Sequence, residues 1–270
     1  MTQRRDFSGG FMILRNRRIF LTLLAAVILA GVDCLSGARA WAGLFDAPTK
    51  LVRLPLAADP ANPQAKAQLS CFYFPHFMVK EVDLGEIGAE QLSLTPIASG
   101  QKKPACRREN STGEKIVSPD DWSGYFWGVK GGYVFFGAED GWNGGMGFAV
   151  FRAADAKKVF EDAAKTWASM ERTAAGLTMR YQRVYGASCS LRAEEAACWQ
   201  QIKRDTGLTA ASAPDCAATY AAEQKRTPAF AQQVLADSSV FDYDVHVTID
   251  AGAAKIAPVS GKALACRPAE

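Results

Sequence analysis

The sequence predicts an α+β protein, predominantly an antiparallel β meander, with two to three helices in its C-terminal half and cross-linked by disulfides. Three observations carry this expectation. The first is the stretch 120–152, DDWSGYFWGVKGGYVFFGAEDGWNGGMGFAVFR, which holds three of the six tryptophans. It divides into aromatic runs at 125–129, 133–138 and 147–151, separated by Lys130-Gly131-Gly132 and by the glycine-rich segment 139–145. Aromatic and β-branched residues suit a pleated surface, and glycine pairs supply the positive φ of tight hairpins.

The second observation is the amino terminus. Arg15, Arg17 and Arg18 precede an apolar run over 19–32, and Ala40-Trp41-Ala42 closes the segment. A basic region, a short apolar region and an A-x-A ending are the parts of a secretory leader. The run is shorter than the ~20 residues a membrane span needs. We therefore expect a signal peptide over 1–42, no stable span after its removal, and a periplasmic or secreted product. The string Arg17-Arg18-Ile19-Phe20-Leu21 resembles the twin-arginine export signal, which a receptor reads rather than an anchor. An ordinary Sec-type leader with clustered arginines fits the same residues, and the export route stays open. The net charge of +3 belongs to the whole chain. Residues 1–42 carry six basic and two acidic residues, so the remainder is close to neutral. No basic field is left to attract nucleic acid.

The third observation is the cysteines. Cys34 falls within the leader; Cys71, Cys106, Cys189, Cys198, Cys216 and Cys266 remain, an even set on an exported chain. None has C-x-x-C spacing and the chain has 2 histidines, which argues against a zinc or thioredoxin-like site. Six cysteines allow 15 connectivities. Proximity favours Cys71–Cys106, and among the other four Cys189–Cys198 with Cys216–Cys266. A helix starting at Ser190 would carry Cys198 beyond the ~7 Å reach of Cys189. That bridge requires the chain to bend between Ser190 and Ala193.

In chain order, 43–68 is rich in alanine and proline and reads as an extended, partly mobile entry segment ahead of a single α+β domain over 69–270. Strands are expected at 69–74, 77–84 and 91–97. In the second, Phe77, Val79 and Glu81 share one face and Met78, Lys80 and Val82 the other. Residues 101–119 read as a polar loop pinned at Cys106, with Asn110-Ser111-Thr112 matching a glycosylation acceptor. The segment 153–172 is alanine-rich, and Val159, Phe160, Ala163, Trp167 and Met170 recur at helical spacing, so a helix is expected there in preference to a hairpin turning at Asp155. A strand follows at 177–186. Helices follow at 193–206, with Glu194 and Glu195 early, Lys203 and Arg204 late and Gly207 as terminator, then at 215–225 and 228–235. Residues 240–249 alternate apolar and polar side chains strictly and read as a strand. Ala251-Gly252 turns the chain, and 255–266 returns along it.

The candidate binding residues are Trp122, Tyr125, Trp127 and Trp142, rings that with adjacent glycines could hold a small ligand or a protein partner of the envelope. Asp242, Asp244 and His246 share one strand face and could ligate a divalent ion, but the solvated face of an edge strand is the preferred reading. No metal and no cofactor is expected. His76, between Pro75 and Phe77, reads as a packed histidine. No nucleophile elbow, metalloprotease helix, P-loop or dinucleotide fingerprint occurs. The expectation is a non-enzymatic exported protein that binds through the aromatic hairpin. The alternative is a hydrolase using carboxylates from Asp242, Asp244, Asp140 or Glu139.

Overall fold

A computed structural model describes residues 43–58, 60, 62–250, 253–261 and 263–270. The leader expected over 1–42 and the turn expected at Ala251-Gly252 lie outside the described residues. Two antiparallel sheets make up the fold, with three helices late in the chain. The smaller sheet runs in sequence order through β1 (Lys50–Pro55), β2 (Gln68–Tyr73), β3 (Phe77–Asp83), β4 (Gln91–Pro96) and β5 (Lys115–Ile116). The larger continues the meander through β6 (Tyr125–Lys130), β7 (Tyr133–Trp142), β8 (Gly145–Arg152), β9 (Lys157–Arg172) and β10 (Gly176–Gly186). It then adds β11 (Ser239–Asp250) and β12 (Ala253–Pro258). The last strand, β13 (Ala265–Pro268), pairs β11 at 239–242, beside the β12 pairing at 245–250.

The aromatic hairpin lies at the centre. Tyr133 and Phe135 of β7, with Phe148 and Val150 of β8, enter one apolar cluster; Val134, Phe136, Ala149 and Phe151 enter another. Alternation along a strand sends successive side chains to opposite faces, so this hairpin is buried on both. Burying each phenylalanine stabilises by roughly 1.5–3 kcal/mol. The second cluster is the layer between the sheets, where Phe77, Val79, Leu92 and Leu94 of the smaller sheet meet β7 and β8. The first is completed by Tyr181, Phe241, Val245 and Ile249 and by residues from the helices.

Residues 153–172 do not form the expected helix. They make a turn, in which Ala156 has φ 56°, and then the long strand β9. Three irregularities explain the misleading period. Pairing with β8 passes over Val159, and pairing with β10 passes over Ala168 and Lys165. Each extra residue shifts the inward phase by one. The buried positions therefore fall at Phe160, Ala164 and Met170, with Trp167 half-buried, spacings that imitate a helix.

The entry segment also contains more order than expected. β1 pairs β2 from Lys50↔Tyr73 to Pro55↔Gln68, yet five of its six side chains are exposed, so it carries no strand-like hydrophobic signal. Likewise, the polar loop contributes β5.

Between β10 and β11 lie α1 (Glu195–Thr206), α2 (Ala217–Arg226) and a 3-10 turn (Pro228–Phe230) running into α3 (Ala231–Val234). Glu195 opens α1, Lys203 and Arg204 close it, and Gly207 at φ 73° returns its N–H to the Lys203 carbonyl. Cys198, Trp199 and Ile202 of α1, Tyr220 of α2 and Val234 of α3 are buried against the larger sheet.

The sulfurs pair as Cys71–Cys106, Cys189–Cys198 and Cys216–Cys266, with Cα separations of 5.8, 5.6 and 5.5 Å. The short bridge is possible because the chain turns before α1 begins. The Glu194 N–H donates to the Ser190 carbonyl at 3.0 Å, and the Ser190 hydroxyl accepts from the Arg192 and Ala193 amides. Among the described residues no helix is long and apolar enough to cross a membrane.

Candidate ligand-binding site

The four aromatic residues singled out by sequence do not share a surface. Trp127 packs into the larger cluster, stacked on Phe148 at 6.3 Å, and lies so close over Gly137 that a Cβ there would meet its indole at 1.9 Å. Trp122 packs against the intersheet layer and donates its indole N–H to the Gly137 carbonyl at 3.3 Å. The two indoles thus sit on opposite faces of β7. Tyr125 uses its hydroxyl structurally, accepting from the Gly88 amide at 2.8 Å and donating to the Glu86 carbonyl at 3.0 Å. Trp142 alone is open, 49% exposed at the hairpin tip and lying against Gly186, where a side chain would collide with it.

The carboxylates are placed differently from expectation as well. β11 is not an edge strand, being paired with β10 on one side and with β12 and β13 on the other. Asp242 is buried at 2% exposure, with Lys165 at 2.7 Å and Arg267 at 2.8 Å. The bulged Lys165 reaches it because the irregularity in β9 pushes that residue out of the ladder. Asp244 and His246 are half-buried on the same strand. Among the described residues no three His, Cys, Asp or Glu side chains gather as a ligand set. A second buried network spans the larger sheet: Asp162 accepts from the Tyr181 hydroxyl and from Arg183 at 2.8 Å, and Arg183 donates to the Tyr243 hydroxyl at 3.0 Å. Burial, reinforced by Asp162, pushes the Tyr181 hydroxyl far up. It stays a protonated donor, and the network fixes register.

What the structure does assemble is a cleft of about 800 Å³ between the two sheets. Its walls come from three separated turns, the end of β9 and the entry segment. The β2–β3 turn contributes Phe74, Pro75, His76 and Phe77, with the rings of Phe74 and Phe77 stacked at 5.0 Å. The β6–β7 turn contributes Gly131, Gly132 and Tyr133; the β8–β9 turn contributes Arg152 and Ala153; Arg172 closes β9. Asp46 and Pro96 complete the rim. Gly131 and Gly132 have φ of 56° and 87°, the left-handed pair a two-residue hairpin turn requires. His76 is exposed at the mouth, not packed as its neighbours suggested, because Pro75 and His76 together form the exposed tip of the turn while Phe74 and Phe77 on either side are buried.

Three charged groups of the rim are fixed in place. The Asp46 carboxylate accepts from the Gly131 amide at 2.7 Å and faces Lys130 at 3.5 Å. Arg152 pairs with Asp155 through two hydrogen bonds, one of 2.9 Å, and these hold the Asp155 carboxyl down to about 2. Arg172 donates to the Gly131 carbonyl and lies over the Tyr133 ring at 5.8 Å. Among the described residues no carboxylate pairs with it.

Sequence reasoning missed this site because no segment of it carries a motif. Arg172 was assigned to the end of a helix, and His76 to a core. No protein-family model matches the chain, and no curated protein or solved structure resembles it at a significant level.

Proposed function

We propose that the chain is an exported, non-enzymatic binding protein that holds a small ligand in the intersheet cleft, not on the aromatic hairpin. The observation that supports this is the cleft itself. At about 800 Å³ it falls within the ~300–1,000 Å³ of small-molecule sites, with an apolar floor and a few convergent polar groups at the rim. Asp46 and Arg152 are already engaged in ion pairs, so the rim is ordered before a ligand arrives. An ordered rim lowers the entropic cost of binding, which suits retention more than chemistry. Export is supported by the leader-like segment 1–42 and by three disulfides, which persist in oxidising compartments.

The test is a titration with a neutral solvatochromic dye such as Nile red, comparing Ala153→Trp with Trp142→Ala. Ala153 is 4% exposed in the cleft wall, so a tryptophan there fills the space. We expect Ala153→Trp to abolish dye binding and Trp142→Ala to leave it unchanged. The reverse result would return the site to the hairpin tip. A reporter active only outside the cytosol, fused after residue 42, checks export; an inactive fusion would refute it.

A further inference from the structure

We infer that the cleft selects amphiphiles with one anionic head, a carboxylate on an apolar body, and that Arg172 is the residue that reads the head. This rests on the cleft being a ligand site at all. Three observations carry it. First, the floor is apolar: Phe74, Phe77, Val129 and Ala153 offer nothing to pair a polar body. Second, the charges at the rim are unequal. Asp46 is answered by Lys130 and the Gly131 amide, and Arg152 by Asp155. Arg172 is answered only by a carbonyl and an aromatic face. A guanidinium has five N–H donors, and a single carbonyl leaves most of them open. Third, that guanidinium, although Arg172 is exposed, is anchored at two points. The Gly131 carbonyl and the Tyr133 ring hold it at the cleft wall, and its aliphatic stem packs so tightly on Gly131 that a Cβ there would lie 2.7 Å from the Arg172 Cδ. A held, unpaired fork beside apolar walls suits a carboxylate, which it can meet with paired hydrogen bonds.

The charge balance also sets the sign. A cationic head would lie beside Arg172 with Asp46, the one carboxylate among the lining residues, already occupied, so it would be repelled. A neutral hydroxyl head can accept one bond from the guanidinium but brings neither charge nor the paired oxygens of a carboxylate.

The experiment displaces Nile red from the full chain with three ten-carbon probes: decanoate, decanol and decyltrimethylammonium, each below its micellar concentration. We expect decanoate to displace the dye at a concentration about tenfold lower than decanol, the factor one charge-assisted pair supplies, with the ammonium weakest. In Arg172→Met, decanoate and decanol should become equal while decanol keeps its wild-type value. Should that variant not fold, Arg172→Lys serves, with the preference reduced. Added salt should narrow the wild-type gap. If decanol equals decanoate in the wild type, the anion preference is wrong and the cleft as a binding site survives. If decanoate is preferred but Arg172→Met leaves the gap intact, Arg172 is not its source. If Ala153→Trp binds dye as the wild type does, the cleft is not the site and the underlying reading fails.

Discussion

The two sheets meet the same problem with different materials. Each turns one face to the intersheet layer and must cover the other. The larger sheet is covered by helices whose buried side chains are mostly apolar: Trp199 and Ile202 of α1, Tyr220 of α2, Val234 of α3, with Thr206 the polar exception. The smaller sheet is covered by the polar loop 98–114, which has few apolar side chains to give. There a buried ion pair stands in. Lys80 and Glu114, 1% and 0% exposed, meet at 2.7 Å. Glu114 also accepts from the Ser93 hydroxyl at 2.6 Å and from the Ser111 amide at 2.7 Å, and Lys80 donates to the Arg108 carbonyl at 3.2 Å. The Tyr73 hydroxyl adds a bond to the Pro104 carbonyl at 2.8 Å, and Cys71–Cys106 fastens the loop covalently. A poorly apolar cover closes this face by adding charge- and redox-dependent bonds to a small apolar cluster of Leu69, Tyr73, Met78, Val82 and Ile97.

The sharpest way to break this contrast is to remove one charge. Lys80→Met leaves Glu114 buried without its partner and should cost about 3–5 kcal/mol in urea unfolding. Lys80→Met combined with Glu114→Leu should recover most of that, since an apolar pair of similar volume is often neutral. Trp199→Ala, at a similar ~3–5 kcal/mol, should have no such rescue, because its loss is a cavity and not an orphaned charge. If the double change is as damaging as the single one, the ion pair is not what holds the loop.

Next in size is the covalent link. Cys71 and Cys106 lie 35 positions apart, a loop for which chain entropy gives about 3–4 kcal/mol. Replacing both with alanine should lower the unfolding midpoint and raise hydrogen exchange in 98–114 while leaving 195–206 protected. Equal loosening of both covers would show that they unfold as one unit.

The smallest effects come from pH, and two carboxylates of the same sheet oppose each other. Burial works against the charge of Glu114, but the hydrogen bonds from Lys80, Ser111 and Ser93 outweigh it and hold its carboxyl below the ordinary 4.5. Its stabilisation is complete above that value and is lost as pH falls through the depressed one. Glu81 faces the other way, into the intersheet layer, where its carboxylate accepts the Phe126 amide at 2.6 Å. Burial raises its pKa above the ordinary 4.5. Its proton is therefore held more tightly when folded, and stability declines as pH rises from 4.5 through the raised value. Glu81→Gln, which keeps a carbonyl acceptor, should stabilise at pH 7 and have little effect at pH 3. Hydrogen exchange at pH 3 should loosen 98–114 ahead of 195–206.

These same contrasts mark what the sequence makes legible. β11 was readable because its apolar residues keep strict period two from Phe241 to Ile249 against a single core. β9 was not, because Val159, Lys165 and Ala168 each interrupt that period where the ladder bulges. Proximity and the bend after Ser190 were enough to anticipate the sulfur pairs. The buried charges were not visible, since Lys80 on a half-polar strand looks the same whether water or Glu114 answers it. Asp242 misled for the same reason: alternation locates its face but not what covers that face. The cleft is the extreme case, since Asp46, His76, Arg152 and Arg172 come from separate segments and meet only in three dimensions.

One feature of the larger sheet bears on how the molecule would come apart. β12 and β13 share the same side of β11 end to end, and β13 brings only four residues to it, from Ser239↔Pro268 to Asp242↔Ala265. So short a ribbon has little grip of its own. It is kept by the bridge from Cys266 to Cys216, by the Thr219 hydroxyl on the Cys266 carbonyl at 2.9 Å, by Arg267 paired with buried Asp242 at 2.8 Å, and by the Glu270 amide donating to the Asn143 side-chain oxygen at 2.7 Å. In a reducing compartment the tail loses its covalent tie and rests on those polar bonds alone, and their release would bare the backbone of 239–242 and take Arg267 away from Asp242.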